Sequence, residues 1–134
     1  MRIECGQMRH LTMKILPDEY CIHQLAPNSP IPEQVFGDQF FSLTQTKEEL
    51  SLVCNSRISV DSKKAEGGFA CMQIVGVLDF SETGILAEIS SILSKAEISI
   101  FAVSTFNTDY ILFKNEKIEM VKKSLRACGH QIDS

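Results

Sequence analysis

Ser104-Thr105-Phe106-Asn107-Thr108-Asp109 gathers hydroxyl, amide and carboxylate groups into one short stretch between two apolar runs. A turn between buried strands needs no such concentration, since a two-residue Asn-Gly or Gly-X link closes a hairpin at less cost. The chemistry these groups suit is the gripping of a small polar ligand at a sheet edge. Upstream, Asp79-Phe80-Ser81-Glu82-Thr83-Gly84 leads from an apolar run into a helical pattern. The start of a helix offers unpaired N–H groups and a positive dipole end, which suit a ligand carboxylate. Gly84 permits close backbone approach. Asp79, Glu82 and Asp109 supply carboxylates for an ammonium or guanidinium group.

Each of these residues also has a plainer reading. Glu82 can simply complement the helix dipole, and Asp109 can cap its own turn through an Asx-type bond. Phe106 is harder to dismiss, because a large apolar residue in a polar turn invites a covering ligand or subunit.

Catalysis finds little support. No histidine lies near Ser104–Asp109 in sequence, no carboxylate pair has an acid/base arrangement, and the glycines form no phosphate-cradling motif. The reading is therefore non-enzymatic and calls for no cofactor or metal. His10, His23 and His130 are scattered. His23 and Cys21 would share one sheet face, but no second ligand pair accompanies them. The five cysteines are odd in number and spread without a CxxC pair, which argues against a disulfide framework or a zinc site. Cys21, Cys54 and Cys71 sit in apolar strand-like contexts, as core thiols do. A reducing cytoplasm is the expected location.

The elements that must position these residues follow from the pattern. The 134 residues are 44% hydrophobic and 22% charged, with a net charge of -4, which is globular composition. No basic stripe suggests nucleic acid, no apolar run is long enough for a membrane span, and the N-terminus lacks a signal core. Ala70 to Asp79 reads as a buried strand. Ile85, Leu86, Ile89, Ile92 and Leu93 recur at helical spacing. Ser81 or Glu82 is the expected start of that helix and Lys95 falls in its last turn. Ile98–Thr105 and Asp109–Lys114 are two strands. A second helix runs from an Asn115 cap along Ile118, Val121 and Leu125 to Gly129, and a short strand ends the chain. The order is β-α-β-β-α-β, an α+β, ferredoxin-like arrangement.

The first half is a weaker copy. Leu11–Leu16 and Tyr20–Leu25 are strand-like, and Ala26–Pro32 holds prolines that confine any helix to a short one from Glu33. Phe40–Thr46 and Leu50–Asn55 form a hairpin, the counterpart of residues 98–114. Arg57–Lys64 has room for one helical turn before a return strand and a Gly67-Gly68 link. The expected division is an extension at 1–10, a degenerate first module at 11–68 with eroded helices, and a complete second module at 69–134.

Taken together, Phe80–Ala87, Ala96–Phe101 and Ser104–Leu112 resemble ACT domains, in particular the branch of small bacterial proteins with tandem ACT modules. Phe40–Thr46, Glu49–Cys54, and Lys14–Pro17 with Tyr20 also match that branch. The chain is similar to the ACT modules of the eukaryotic cytosolic arginine sensor and of aspartate kinase. The resemblance implies a regulatory module that binds a small molecule, an amino acid above all. It implies ligand contacts at Glu82, Thr105, Phe106 and Asp109, with Asp79 in the contacting loop. The strand end at Gly76 and Val77 would approach the ligand of a facing module. The chain is half the sensor's length, so the resemblance implies a homodimer whose second subunit supplies that module, and a protein target not named by the sequence. The competing reading is a constitutive interaction module with no physiological ligand.

Overall fold

The computed structural model describes residues 5, 10–75 and 84–133. The elements run β1 (Thr12–Ile15), β2 (Tyr20–Leu25), α1 (Glu33–Phe36), β3 (Ser42–Gln45), β4 (Leu50–Asn55), β5 (Lys64–Ile74), α2 (Ile85–Lys95), β6 (Phe101–Ser104), β7 (Asp109–Lys114), α3 (Ile118–Ala127) and β8 (Gln131–Asp133), with a single 3-10 turn at Asn115–Lys117 before α3. The fold is α+β and ferredoxin-like, as the periodicities predict. Contacts divide it into two units, residues 1–17 with 70–134, and residues 18–69.

In the unit containing residues 70–134, β5-α2-β6-β7-α3-β8 gives the predicted βαββαβ order. β6 pairs antiparallel with β7, and β7 pairs with β5. The sequence pattern assigns β1 to the first module. The pairing instead seats β1 between β5, antiparallel with Met13 opposite Ile74, and β8, parallel with Met13 opposite Ile132. Its alternation explains the choice of face: Met13 and Ile15 join the same apolar cluster as Ala70, Met72 and Ile74 of β5. The stripes of α2 (Ile85, Ile89, Ile92, Leu93) and α3 (Val121, Leu125) close over that cluster, with Ile111 and Phe113 of β7 beneath them. Burial of this face, rather than intrinsic propensity, holds two helices of only 11 and 10 residues.

Both helices end in the same way. At α3, the Gly129 N–H donates to the Arg126 carbonyl and the His130 N–H to the Leu125 carbonyl, with Gly129 at φ 87. At α2, the Glu97 N–H donates to Ser94 and the Ile98 N–H to Leu93, with Glu97 at φ 59. This is the Schellman closure, whose left-handed position favours glycine. A glutamate there pays about 1 kcal/mol in backbone sterics. Glu97→Gly should therefore raise stability by roughly 0.5–1 kcal/mol, measured as an increased urea midpoint at unchanged slope.

His130 follows that closure and is buried. Its Nδ1 accepts the Leu11 N–H at 3.1 Å, so the ring proton sits on Nε2, which faces Glu88 Oε2 of α2 at 3.2 Å. Burial holds His130 below the ordinary histidine value against the upward pull of Glu88, and nearby His10 pushes it down further. Burial lowers His23 as well. A histidine that resists protonation when folded binds more protons when unfolded. Stability is then fully present above about pH 6.5 and falls as the pH drops below that value toward the lowered folded values. Urea titrations between pH 7.5 and 5 should show this decline, with a slope of at most about 1.4 kcal/mol per pH unit for each histidine.

The unit of residues 18–69 orders its strands β3-β4-β2-β5. Its sole helix among the described residues, α1, begins at Glu33 just after Pro32, as the prolines require. The expected helical turn at Arg57–Lys64 is absent. Residues 57–63 carry no apolar stripe, and the chain turns there through the Ile58 N–H donating to the Asn55 carbonyl. Gly67-Gly68, read from the sequence as a link, comes just before the boundary between the two units at residues 69 and 70. It lies inside the continuous strand β5, where the β2 register shifts between Tyr20 and Ile22, and Gly68 takes φ 78. A β-bulge with a left-handed glycine has this signature.

The cysteines bring a correction. Cys5 and Cys128 are joined by a disulfide, their Cα atoms 5.3 Å apart across 123 positions of sequence. Sequence spacing carries no trace of it, because the pairing of β1 with β8 brings the two chain ends together. Cys21, Cys54 and Cys71 are free thiols. Burial pushes Cys71 up to about 12 and, with smaller contributions from Cys21 and Asp38, Cys54 to about 11, so both act as core residues.

Candidate ligand-binding site

The β6–β7 hairpin places Ser104 directly opposite Asp109 at its open end. Ser104 Oγ donates to Asp109 Oδ1 at 2.5 Å. Beyond that pair, the Thr105 N–H and Oγ1 both donate to the Thr108 carbonyl at 2.9 Å, and the Thr108 N–H donates to Thr105 Oγ1 at 3.3 Å. The two threonines thus close the turn on themselves. The first hairpin uses the same device: the Thr46 N–H donates to the Glu49 carbonyl, and Thr46 Oγ1 accepts the Glu48 and Glu49 N–H groups. This shared geometry supports reading the two hairpins as counterparts.

One contact is peculiar to the second hairpin. Buried Thr108 donates its Oγ1 proton to the Ile74 carbonyl at 2.8 Å. It pins the polar turn to the last residue of β5, just before the sequence that carries Gly76, Val77, Asp79 and Glu82. The sequence alone does not single out Thr108, because a threonine at a strand end is ordinary taken singly. An anchoring role depends on a carbonyl 34 positions away. Phe106 projects at the tip, 78% exposed.

Of the sequence-predicted contacts, Thr105, Phe106 and Asp109 lie together on this turn. Gly76, Val77, Asp79 and Glu82 lie outside the described residues. Thr105 spends its hydroxyl within the turn, and Asp109 accepts from Ser104 through one of its two carboxylate oxygens. A carboxylate has about four lone-pair sites, so this bond does not exhaust its capacity for a cation. The turn carries a carboxylate acceptor and an exposed aromatic residue.

A concave feature lies elsewhere in the same unit. An open groove of about 650 Å³ runs along α2, lined by Ser90, Ser91 and Ser94 and by Glu97 and Ser99 after the helix. Among the described residues no cluster of three or more His, Cys, Asp or Glu is placed to hold a metal ion. No helix among them is long and apolar enough to cross a membrane.

Comparison with known proteins meets this geometry. A family model described as an ACT domain matches residues 64–127, and a second model, for an N-terminal domain, matches residues 18–61. No curated protein matches the sequence. Among solved structures, the Agrobacterium tumefaciens protein Atu0741 is 36% identical, with a TM-score of 0.83 and 92% of each chain covered. The regulatory subunit of aspartate kinase from Thermus flavus superposes with a TM-score of 0.64 at 12% identity, over 90% of this chain and 99% of that one. Aspartate kinase from Clostridium acetobutylicum gives 0.61 at 16% identity, over 96% of this chain and 36% of the enzyme. The two kinases share the fold.

Proposed function

The chain is a small ACT-domain protein, in one family with the Agrobacterium protein Atu0741, and from that premise we propose that it is a non-catalytic regulatory module that binds a small amino acid. The observation that carries this reading is the Thr108–Ile74 hydrogen bond. It fixes a polar turn bearing Asp109 and Phe106 against the end of β5, and the sequence immediately following β5 supplies Asp79 and Glu82. A ligand ammonium would meet Asp109 and Glu82, its carboxylate the N–H groups at the start of α2. Thr105 and Phe106 would complete the crevice from the hairpin. Gly76 and Val77 would approach the ligand of a facing subunit. The family resemblance of the fold to regulatory subunits of aspartate kinase supports a regulatory role.

Assembly belongs to the same proposal. Among the described residues β6 pairs only with β7, and its residues Phe101 and Ala102 are exposed. An edge strand of this kind, flanked by exposed Phe106, is covered when a second copy packs on it. Light scattering at tens of micromolar should give a dimer; a strict monomer would contradict the facing-module arrangement.

Binding itself is tested by a thermal-shift screen of free amino acids. A ligand that binds only the native state adds about 2.7 kcal/mol at a hundredfold excess over its dissociation constant, enough for a rise of several degrees. One or a few clear hits are expected. A flat screen, extended to related metabolites, favours the constitutive interaction module instead.

A further inference from the structure

Three consecutive residues at the end of α3 each hold a residue of the N-terminal chain. Cys128, which caps the helix, is bonded through sulfur to Cys5. The Gly129 carbonyl accepts from His10 Nδ1 at 2.9 Å. His130 Nδ1 accepts the Leu11 N–H at 3.1 Å. The fit is close: a Cβ built on Gly129 would lie 2.8 Å from His10 Nδ1 and Cε1, so bare backbone lets the imidazole sit there. Cys5 is exposed, and the thiols at Cys54 and Cys71 are buried. The disulfide is therefore the one cysteine pair here that includes an exposed residue.

We propose that Cys5 and Cys128 form a reversible redox latch, bonded when oxidised and open when reduced, that fastens the N-terminal chain to the end of α3. β1 does not depend on it, being paired on both sides with β5 and β8. The fold accordingly stands in both states, and the latch sets how firmly Cys5, His10 and Leu11 are held at the end of α3. Disulfides in reducing compartments are characteristically of this transient, sensing kind.

The oxidant is a low-molecular-weight disulfide such as glutathione disulfide. The exposed Cys5 thiolate attacks one of its sulfurs. The sulfur–sulfur bond breaks, a mixed disulfide forms and one glutathione leaves as thiolate. Cys128 thiolate then attacks the Cys5 sulfur of that mixed disulfide and expels the second glutathione. Two protein thiols are oxidised to one disulfide, one glutathione disulfide is reduced to two thiols, and the two thiol protons end on the released glutathiones. Cys5 attacks first because it is exposed, whereas Cys128 is half-buried at the end of α3.

The bond closes 123 positions of the chain into a loop, so oxidation restricts the unfolded state strongly. The oxidised protein should melt on the order of ten degrees above the reduced one.

The test uses the full chain equilibrated over a series of glutathione thiol-to-disulfide ratios, then denatured and tagged with a maleimide polymer. Five tagged thiols in the reduced protein should fall to three across the series, the three being Cys21, Cys54 and Cys71. Cys5→Ser should carry four tags at every ratio and lose the redox dependence of its melting temperature. Amide exchange at Leu11 should be at least tenfold faster in the reduced protein. Three results overturn the latch: five tags or three tags at every ratio, a bonded pair that does not include Cys5 and Cys128, or Leu11 exchange that ignores the redox state.

Discussion

Phe113→Ala is expected to lower the stability of the protein by about 3–5 kcal/mol, the largest loss available from a single side chain in the 70–134 unit. Phe113 is fully buried on β7 and belongs to the cluster closed by α2 and α3. Truncation removes its transfer free energy and leaves a cavity that strands and helices on both sides cannot collapse to fill. Against a total of about 5–15 kcal/mol for an ordinary domain, such a loss takes the melting temperature down by ten degrees or more. Phe106→Ala is the contrast. Phe106 is 78% exposed, so its truncation should change folding by no more than about 0.5 kcal/mol while weakening whatever covers it in solution. Paired urea melts of the two variants separate a residue that builds the fold from one displayed by it.

That contrast also marks what the sequence makes legible. Phe113 lies in the apolar run of Asp109–Lys114 that the sequence marks as a strand, and the run Ile111–Phe113 is buried throughout. The βαββαβ order, both helical stripes, the short helix after Pro32 and the two hairpins come from the same periodicities. What escapes is whatever depends on pairing between distant segments. β1 looks like the natural neighbour of β2, yet it lies between β5 and β8, a choice made by apolar faces and not by proximity in sequence. The Cys5–Cys128 bond, the Thr108–Ile74 anchor and the His130–Glu88 contact all follow from such pairings. Gly67-Gly68 reads as a linker because glycine signals a break, and only the register of β2 against β5 reveals a bulge. At the candidate site, the hairpin turn is legible because its polar residues are contiguous, and the ligand-binding role of Thr105, Phe106 and Asp109 is a proposal. The loop half, Gly76, Val77, Asp79 and Glu82, is equally a proposal and lies outside the described residues.

Asp109→Ala should weaken ligand binding by roughly ten- to a hundredfold and leave folding within about 0.5 kcal/mol of the parent. The carboxylate is proposed to accept from the ligand cation, and removing one partner of a charge-assisted hydrogen bond typically costs about 1.5–3 kcal/mol. Its present bond to Ser104 supplies the competing explanation, a residue that merely closes the turn. Asp109→Asn distinguishes the two. The amide oxygen still accepts from Ser104, so the turn is kept, but the charge is gone. Site function predicts that Asp109→Asn binds nearly as weakly as Asp109→Ala; turn closure predicts that it binds like the parent. Glu82→Gln should weaken a basic amino acid more than a neutral one. Thr108→Val removes the bond to the Ile74 carbonyl in a buried setting and should cost about 1–3 kcal/mol of stability, tying the turn's anchor to the fold itself.

The central claim, that this small ACT-domain protein binds an amino acid at the hairpin turn, is tested most directly by isothermal calorimetry of the parent and Asp109→Asn against the twenty amino acids. The account predicts saturable heat for one or a few of them, at a stoichiometry of one per subunit, with the affinity falling at least tenfold in the variant. Heat that is absent for all twenty, or present with equal affinity in both proteins, would contradict it.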